Sequence, residues 1–268
     1  MKLEPLSPFL AARVVGLDVR DLTPALAAEV RDALLEHRVL AFADQQLTPA
    51  DFVRFAGHFG EIMPHRVVAN RHPDHEQISL VTNRAADGSL GTARGATYWH
   101  IDSLYTERPQ RFTMLYGLEC PSVGGDTVFV DMAAAWRSLD ASLRRRLPGW
   151  RAEHLHHGRR TGGTPAAWER SVHPLVHTHP QTGEQSLLVS EAHTTRILEL
   201  DPPESDRLLD GLNRHVTTGR PQFAYRWHAG DLLVWDNCCL LHRGSSDYQE
   251  PRTLLRISIA GDVPIPAS

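Results

Sequence analysis

The sequence predicts a mainly β fold with flanking helices, an α+β chain whose strands form a β-sandwich or jelly roll. Three observations carry this. Strand-like runs dominate after residue 98, at 111–118, 127–130, 185–188, 231–235 and 253–260. Helical patterns are few and scattered, at 24–37, from 49 onward, at 133–139 and at 203–216. There is no steady alternation of strand and helix of the kind that builds a parallel sheet.

From the N-terminus, Leu26, Val30, Leu34 and Leu35 recur every three to four residues, so 24–37 is an amphipathic helix with Thr23 as its N-cap. The apolar run Arg38 to Phe42 is a short strand. Thr48 and Pro49 open a second helix, a cap followed by proline at the first helical position, with Phe52 and Phe55 facing inward. The texture then changes. Residues 63–98 hold prolines, glycines, charges and three histidines, broken by one strand at 77–82. The glycine-rich stretch 85–97 has few bulky apolar residues and precedes the chemical motif, so 63–98 is expected to act as an active-site lid. No repeat, low-complexity tract or linker divides the chain, and 1–268 is expected to be one domain.

Composition excludes several function classes. Hydrophobic residues make up 41% and charged residues 22%, enough apolar material for a core. A net charge of -4 argues against nucleic-acid binding through a broad basic surface. Lys2 is the only lysine, so no internal lysine exists for a Schiff base or a P-loop, and GxGxxG and GxSxG are absent. Cys120, Cys238 and Cys239 are too few and too badly spaced for a disulfide framework or a zinc site, and are expected to be reduced. Neither a signal peptide nor a membrane span is expected, which places the protein in the cytoplasm.

The first chemical signal is His100-Ile101-Asp102. On a strand, residues two apart share a face, so an imidazole and a carboxylate would stand together with Ile101 turned away. His242 follows the apolar strand 231–235 and precedes a turn-rich loop, which suits a third ligand. The run 252–259 then splits by period two. Arg252, Leu254, Arg256 and Ser258 share one face; Thr253, Leu255, Ile257 and Ile259 share the other, which should pack outward against neighbouring layers. Two guanidiniums on a strand of an apolar barrel need anions, either resident carboxylates or those of a ligand.

Two histidines and one carboxylate, with open coordination positions, form the facial triad of non-heme Fe(II) oxygenases. The same three residues could serve a zinc hydrolase, in which the metal activates water. A third alternative is a non-catalytic jelly roll that keeps only an anion pocket.

The wider pattern resembles the taurine dioxygenase family of Fe(II)/2-oxoglutarate-dependent dioxygenases, which includes phenoxyalkanoate and alkylsulfate dioxygenases. Trp99-His100-Ile101-Asp102, followed by Pro121 through Gly124-Gly125-Asp126-Thr127, is similar to that family's WHxD…PxxGGDT signature. Phe59-Gly60-Glu61, the segment His173 to Pro180, the segment Glu191 to Arg196, and the series Trp235, Asn237, His242, Asp247, Tyr248, Arg252, Arg256 and Asp262 match in the same order. The resemblance implies a double-stranded β-helix, with His100, Asp102 and His242 as Fe(II) ligands. It implies Thr127 and Arg252 as contacts to the co-substrate 2-oxoglutarate, with O2 as oxidant, and Trp235 as packing near the metal.

On the substrate side, the resemblance implies His65 and Arg256 as contacts to an anionic head group. Val68 and Ala96 stand where the taurine enzyme has a tyrosine and an asparagine. A less polar body behind the anion follows: a sulfonate, sulfate ester, aryloxy acid or N-acyl amino acid. His154, His156 and His157 are expected in solvent at a turn, with the mouth of the site as the alternative. The partner is thus a small molecule, with no nucleic acid or membrane, and self-association is left open.

Overall fold

The computed structural model describes residues 1–64, 68–85, 87–91, 96–156 and 169–267. Both N-terminal helices lie where their caps place them. The first spans Pro24–His37; the Thr23 hydroxyl accepts from the Leu26 amide, and Arg38 ends it in the left-handed conformation. The second spans Pro49–Gly57 and is closed by a reciprocal capping box between Thr48 and Asp51. Phe52 and Phe55 are buried beneath it.

These helices cover one face of a large sheet. Its central order is Val39–Phe42, Leu232–Asp236, Phe112–Glu119, Thr253–Ile259 and His75–Thr82. Pairing is antiparallel except between Ala12–Val15 and Val39–Phe42. A smaller sheet holds Phe223–Tyr225, Thr127–Asp131 and Leu240–Gly244, and two further three-stranded sheets complete the described strands.

Alternation along the central strands separates two apolar layers. Leu232, Val234, Leu255, Ile257 and Ile259 join Leu34, Phe52 and Phe55 under the helices. Leu233, Trp235, Leu115 and Leu254 turn the other way and meet Phe129 of the smaller sheet. A third layer packs Val128, Val130 and Leu241 against the helices Met132–Arg137 and Pro202–Thr218. Each large side chain so buried stabilises by roughly 1.5–3 kcal/mol. The result is a jelly roll braced by helices on its outer faces, as expected.

Three local expectations are corrected. His100 and Asp102 do not lie on a regular strand. His100 makes one antiparallel bridge with His242, and Asp102 opens a turn that continues through Ser103 at φ +53°. Leaving the ladder frees Asp102 to be oriented by side-chain hydrogen bonds instead. The period-two split of 252–259 also breaks at its first residues. Thr253 pairs with Glu119 but Leu254 pairs with Gly117, so Leu118 is the extra residue of a bulge, and Thr253 lines the same cavity as Arg252. His154 is neither solvated nor at the mouth. It sits on the strand Arg151–Leu155, where alternation turns Ala152 and His154 inward; it is fully buried, with Nδ1 3.1 Å from the Thr194 hydroxyl. His156 is half-buried beside the Tyr105 ring, and His157 lies outside the described residues.

The three cysteines are free thiols, as expected. Among the described residues no helix is long and apolar enough to cross a membrane.

Candidate active site

His100 and His242 are brought side by side by their mutual backbone bridge. Each amide donates to the other's carbonyl at 2.9 Å, and the ring centroids lie 4.2 Å apart. The Asp102 carboxylate faces both rings. Oδ1 is 3.6 Å from His100 Nε2, and Oδ2 is 3.6 Å from His242 Nε2. Two ligand atoms each about 2.1 Å from one ion stand roughly 3–3.5 Å apart, so the three groups can share a cation with shifts of a few tenths of an ångström.

Electrostatics agree with that use. His100 Nδ1 is 3.0 Å from the Tyr98 carbonyl, an acceptor, so Nδ1 carries a proton and Nε2 is the nitrogen turned toward Asp102 and the site. Burial, then the neighbouring His100, pushes the His242 imidazole well below its usual pKa, and it is neutral. Burial alone would raise the Asp102 carboxyl; Arg256, His242 and His100 outweigh it and hold the carboxyl well below the usual range. Two imidazoles and one carboxylate, all buried, form a donor set suited to a divalent metal.

The cluster opens on a cavity of about 1200 Å³, whose wall also carries Thr127, Arg252 and Arg256. Arg252 is 4% exposed, and no carboxylate among the described residues lies within ion-pairing distance of it. Its Nε donates to the Gly125 carbonyl at 2.9 Å, and its guanidinium lies 5.8 Å from the Tyr248 ring centroid. A buried guanidinium that no resident carboxylate pairs is set to receive an anion. Thr127 accepts from the Trp227 indole at 3.0 Å, which leaves its own proton free to donate into the cavity.

Residues 2–258 match the family described as taurine catabolism dioxygenase TauD, TfdA family. The chain belongs to that family. It is 34% identical over 276 residues to the (S)-phenoxypropionate/alpha-ketoglutarate-dioxygenase of Sphingobium herbicidovorans, covering 97% of this chain and 95% of that one. A crystal structure of a taurine dioxygenase from Burkholderia xenovorans matches with a TM-score of 0.85 at 32% identity, covering 99% of this chain and 91% of that chain. A crystal structure of AAD-2 in complex with Mn(II) and N-oxalylglycine matches with a TM-score of 0.87 at 29% identity, covering 98% and 99%. The protein is a 2-oxoglutarate-dependent dioxygenase, an oxidoreductase that works with Fe(II), 2-oxoglutarate and O2. The zinc-hydrolase and binding-protein alternatives fall away.

The dioxygenase signature has a local physical reason in its paired glycines. Gly124 and Gly125 both hold positive φ, at +74° and +73°. A Cβ on Gly124 would lie 2.6 Å from Asp247 Oδ1; one on Gly125 would lie 2.8 Å from Pro121 Cγ and 3.1 Å from Arg252 Cδ. The turn can therefore pass directly under Arg252 only without side chains. Gly125→Ala is expected to raise the KM for 2-oxoglutarate on the order of tenfold by displacing Arg252, with saturated kcat little changed. Steady-state kinetics with varied 2-oxoglutarate checks this.

For Arg256 the structure takes the first of the two alternatives the sequence left open, a resident carboxylate. Its Nη2 is 2.7 Å from Asp102 Oδ1, and it also donates to Gln110 Oε1 at 2.9 Å. Its Nε is buried with no partner among the described residues, so part of the guanidinium remains available to a ligand. His65 lies outside the described residues. Val68 is exposed and Ala96 lines the cavity.

Other histidines of the dioxygenase pattern are scaffolding. His173 Nε2 meets the Thr106 carbonyl at 2.8 Å, and His177 Nε2 meets the Cys238 carbonyl at 2.6 Å. His179, Asp236 and Cys238 come close enough to hold a cation. Arg111 fills that role instead, with Nη2 3.0 Å from Asp236 Oδ2 and 3.1 Å from His179 Nε2, while burial pushes the Cys238 thiol up and keeps it protonated. Thr113, Asn237 and Gln110, which touch Asp102, Arg256 or one another, do not stand out in the sequence as site residues. The available signal was a lone hydroxyl, Thr113, on the inward face of an apolar strand.

Proposed function

We propose that the protein oxidises a C–H bond of a small anionic molecule, with His100, Asp102 and His242 as its Fe(II) ligands. Fe(II) with 2-oxoglutarate and O2 supplies an oxidant able to take hydrogen from an unactivated carbon, with succinate and CO2 released. The chain's own residues bind and orient. Arg252 grips the distal carboxylate of 2-oxoglutarate, and the Thr127 hydroxyl donates to the same co-substrate. The single observation that carries this reading is Arg252, buried without a carboxylate, on the wall of the cavity that the three clustered ligands share.

The primary substrate's anion is assigned to Arg256, with His65 as its second contact. The unpartnered Nε of Arg256 supports this, as does the activity on phenoxypropionate named for a relative. Sulfonates, sulfate esters, aryloxy acids and N-acyl amino acids are the classes to try. The segment 63–98 is assigned as the cover of the cavity within a single domain, apart from the sheet strand His75–Thr82; Asn70 and Tyr98 on the wall support it.

A substrate panel of those four classes tests the reading. Succinate release above the uncoupled background is expected with at least one, and dependence on both O2 and Fe(II) is required. With the best substrate, Arg256→Ala should raise its KM roughly ten- to hundredfold, the worth of a charge-assisted hydrogen bond, more than it raises the KM for 2-oxoglutarate. An equal rise in both constants would remove Arg256 from substrate recognition.

A further inference from the structure

Among the described residues, two donors hold the Asp102 carboxylate, one on each oxygen. Arg256 Nη2 lies 2.7 Å from Oδ1, and the Thr113 hydroxyl lies 2.6 Å from Oδ2. Thr113 stands on the strand Phe112–Glu119, is fully buried, and pairs in register with Trp235.

The direction of its hydroxyl is set by a chain that begins at that tryptophan. An indole N–H can only donate. Trp235 Nε1 lies 3.1 Å from Asn237 Oδ1, so the Asn237 carbonyl faces the indole. The Asn237 amide nitrogen then faces Thr113 and donates to Oγ1 at 2.9 Å. That bond occupies a lone pair of the hydroxyl and leaves its one proton to go elsewhere. Two acceptors are in reach, Asp102 Oδ2 at 2.6 Å and Gln110 Oε1 at 3.4 Å. The carboxylate is nearer and charged, and Gln110 Oε1 already accepts from Arg256. The proton goes to Asp102.

We infer that Thr113, oriented by Asn237 and Trp235, is a positioning residue that fixes the rotation of the Asp102 carboxylate and thereby sets the site's affinity for a divalent cation. The inference rests on the reading of His100, Asp102 and His242 as the metal site. Without the hydroxyl, Arg256 is the only donor left on the carboxylate among the described residues. Rotation about Cβ–Cγ can then turn both oxygens toward the guanidinium, a bidentate pairing that takes ligand oxygen away from the imidazoles. A hydroxyl suits the task because it restrains the carboxylate without neutralising it. Trp235 thus does more than pack: its polar end starts the chain.

The test uses the full chain and Co(II) alone, with no 2-oxoglutarate and no substrate, titrated against a chromophoric chelator. Thr113→Val keeps the shape and loses the hydroxyl; it should bind Co(II) roughly 10–100-fold more weakly, the usual effect of losing a ligand's outer partner. Thr113→Ser should bind as the wild type does. Equal Co(II) affinity of Thr113→Val and wild type overturns the inference. So does a weakening that Thr113→Ser shares, because packing of the methyl group would then be responsible. Thermal unfolding of the metal-free variants checks folding, and Thr113→Ala replaces valine in the comparison if Thr113→Val does not fold. A wild type that binds no Co(II) refutes the metal-site reading itself, which is a separate result.

Discussion

Replacing Asp102 with alanine should abolish O2-dependent succinate release and reduce metal affinity below detection in the same titration. Of the three groups proposed to hold the metal, Asp102 is the only anion; the other two, His100 and His242, offer aromatic nitrogens. A divalent cation held by two imidazoles alone loses both a ligand and the charge that offsets its own. The substitution also strands two donors. Arg256 loses its resident carboxylate at 2.7 Å, and the Thr113 hydroxyl loses its acceptor at 2.6 Å. A half-buried guanidinium and a fully buried hydroxyl without their partner cost stability as well as function, so the unfolding temperature should fall. Turnover above a few per cent of wild type, measured as succinate formed, would sink the assignment of Asp102.

The second large effect is expected at Arg252. Arg252→Ala should raise the KM for 2-oxoglutarate by on the order of several hundredfold, since truncating one member of a buried, hydrogen-bonded charge pair costs about 3–5 kcal/mol. The loss should appear in 2-oxoglutarate binding and leave Co(II) affinity nearly unchanged, because no contact joins Arg252 to the three ligands among the described residues. Lysine should restore only part of it. An ammonium cannot reproduce the flat fork of guanidinium, and the 2.9 Å bond from Nε to the Gly125 carbonyl holds that fork in place. An unchanged KM for 2-oxoglutarate in Arg252→Ala would defeat the role. Together the two variants separate the functions: one should lose the metal, the other the co-substrate.

Much of this site is legible in the amino-acid sequence, because its signals are local. Thr23 and Thr48 announce their helices through hydrogen bonds to amides three residues on. The alternation in 232–236 and 253–259 names the two faces of the sheet, since side chains two apart share a side whatever the strand packs against. Arg252 and Arg256 stand out by the same rule, as charges on a face that has to be buried. The bulge at Leu118 and the turn at Ser103 escape that rule. A slip in register or a departure from the ladder depends on the partner strand, which period-two counting does not contain.

What the linear order of residues decided was therefore periodic and short-ranged: which segments coil or extend, which face is apolar, and which residues carry donor chemistry. The fold decided which of those residues meet. Asp102, Thr113, Asn237 and Arg256 are scattered over more than half the chain, and only the pairing of Phe112–Glu119 with both Leu232–Asp236 and Thr253–Ile259 brings them to one carboxylate. The same pairing gave Arg256 a resident anion and left Arg252 without one. Charge and spacing make the two arginines look alike in the sequence. Distance separates them, because an ion pair forms only within a few ångströms and sequence separation does not measure that length.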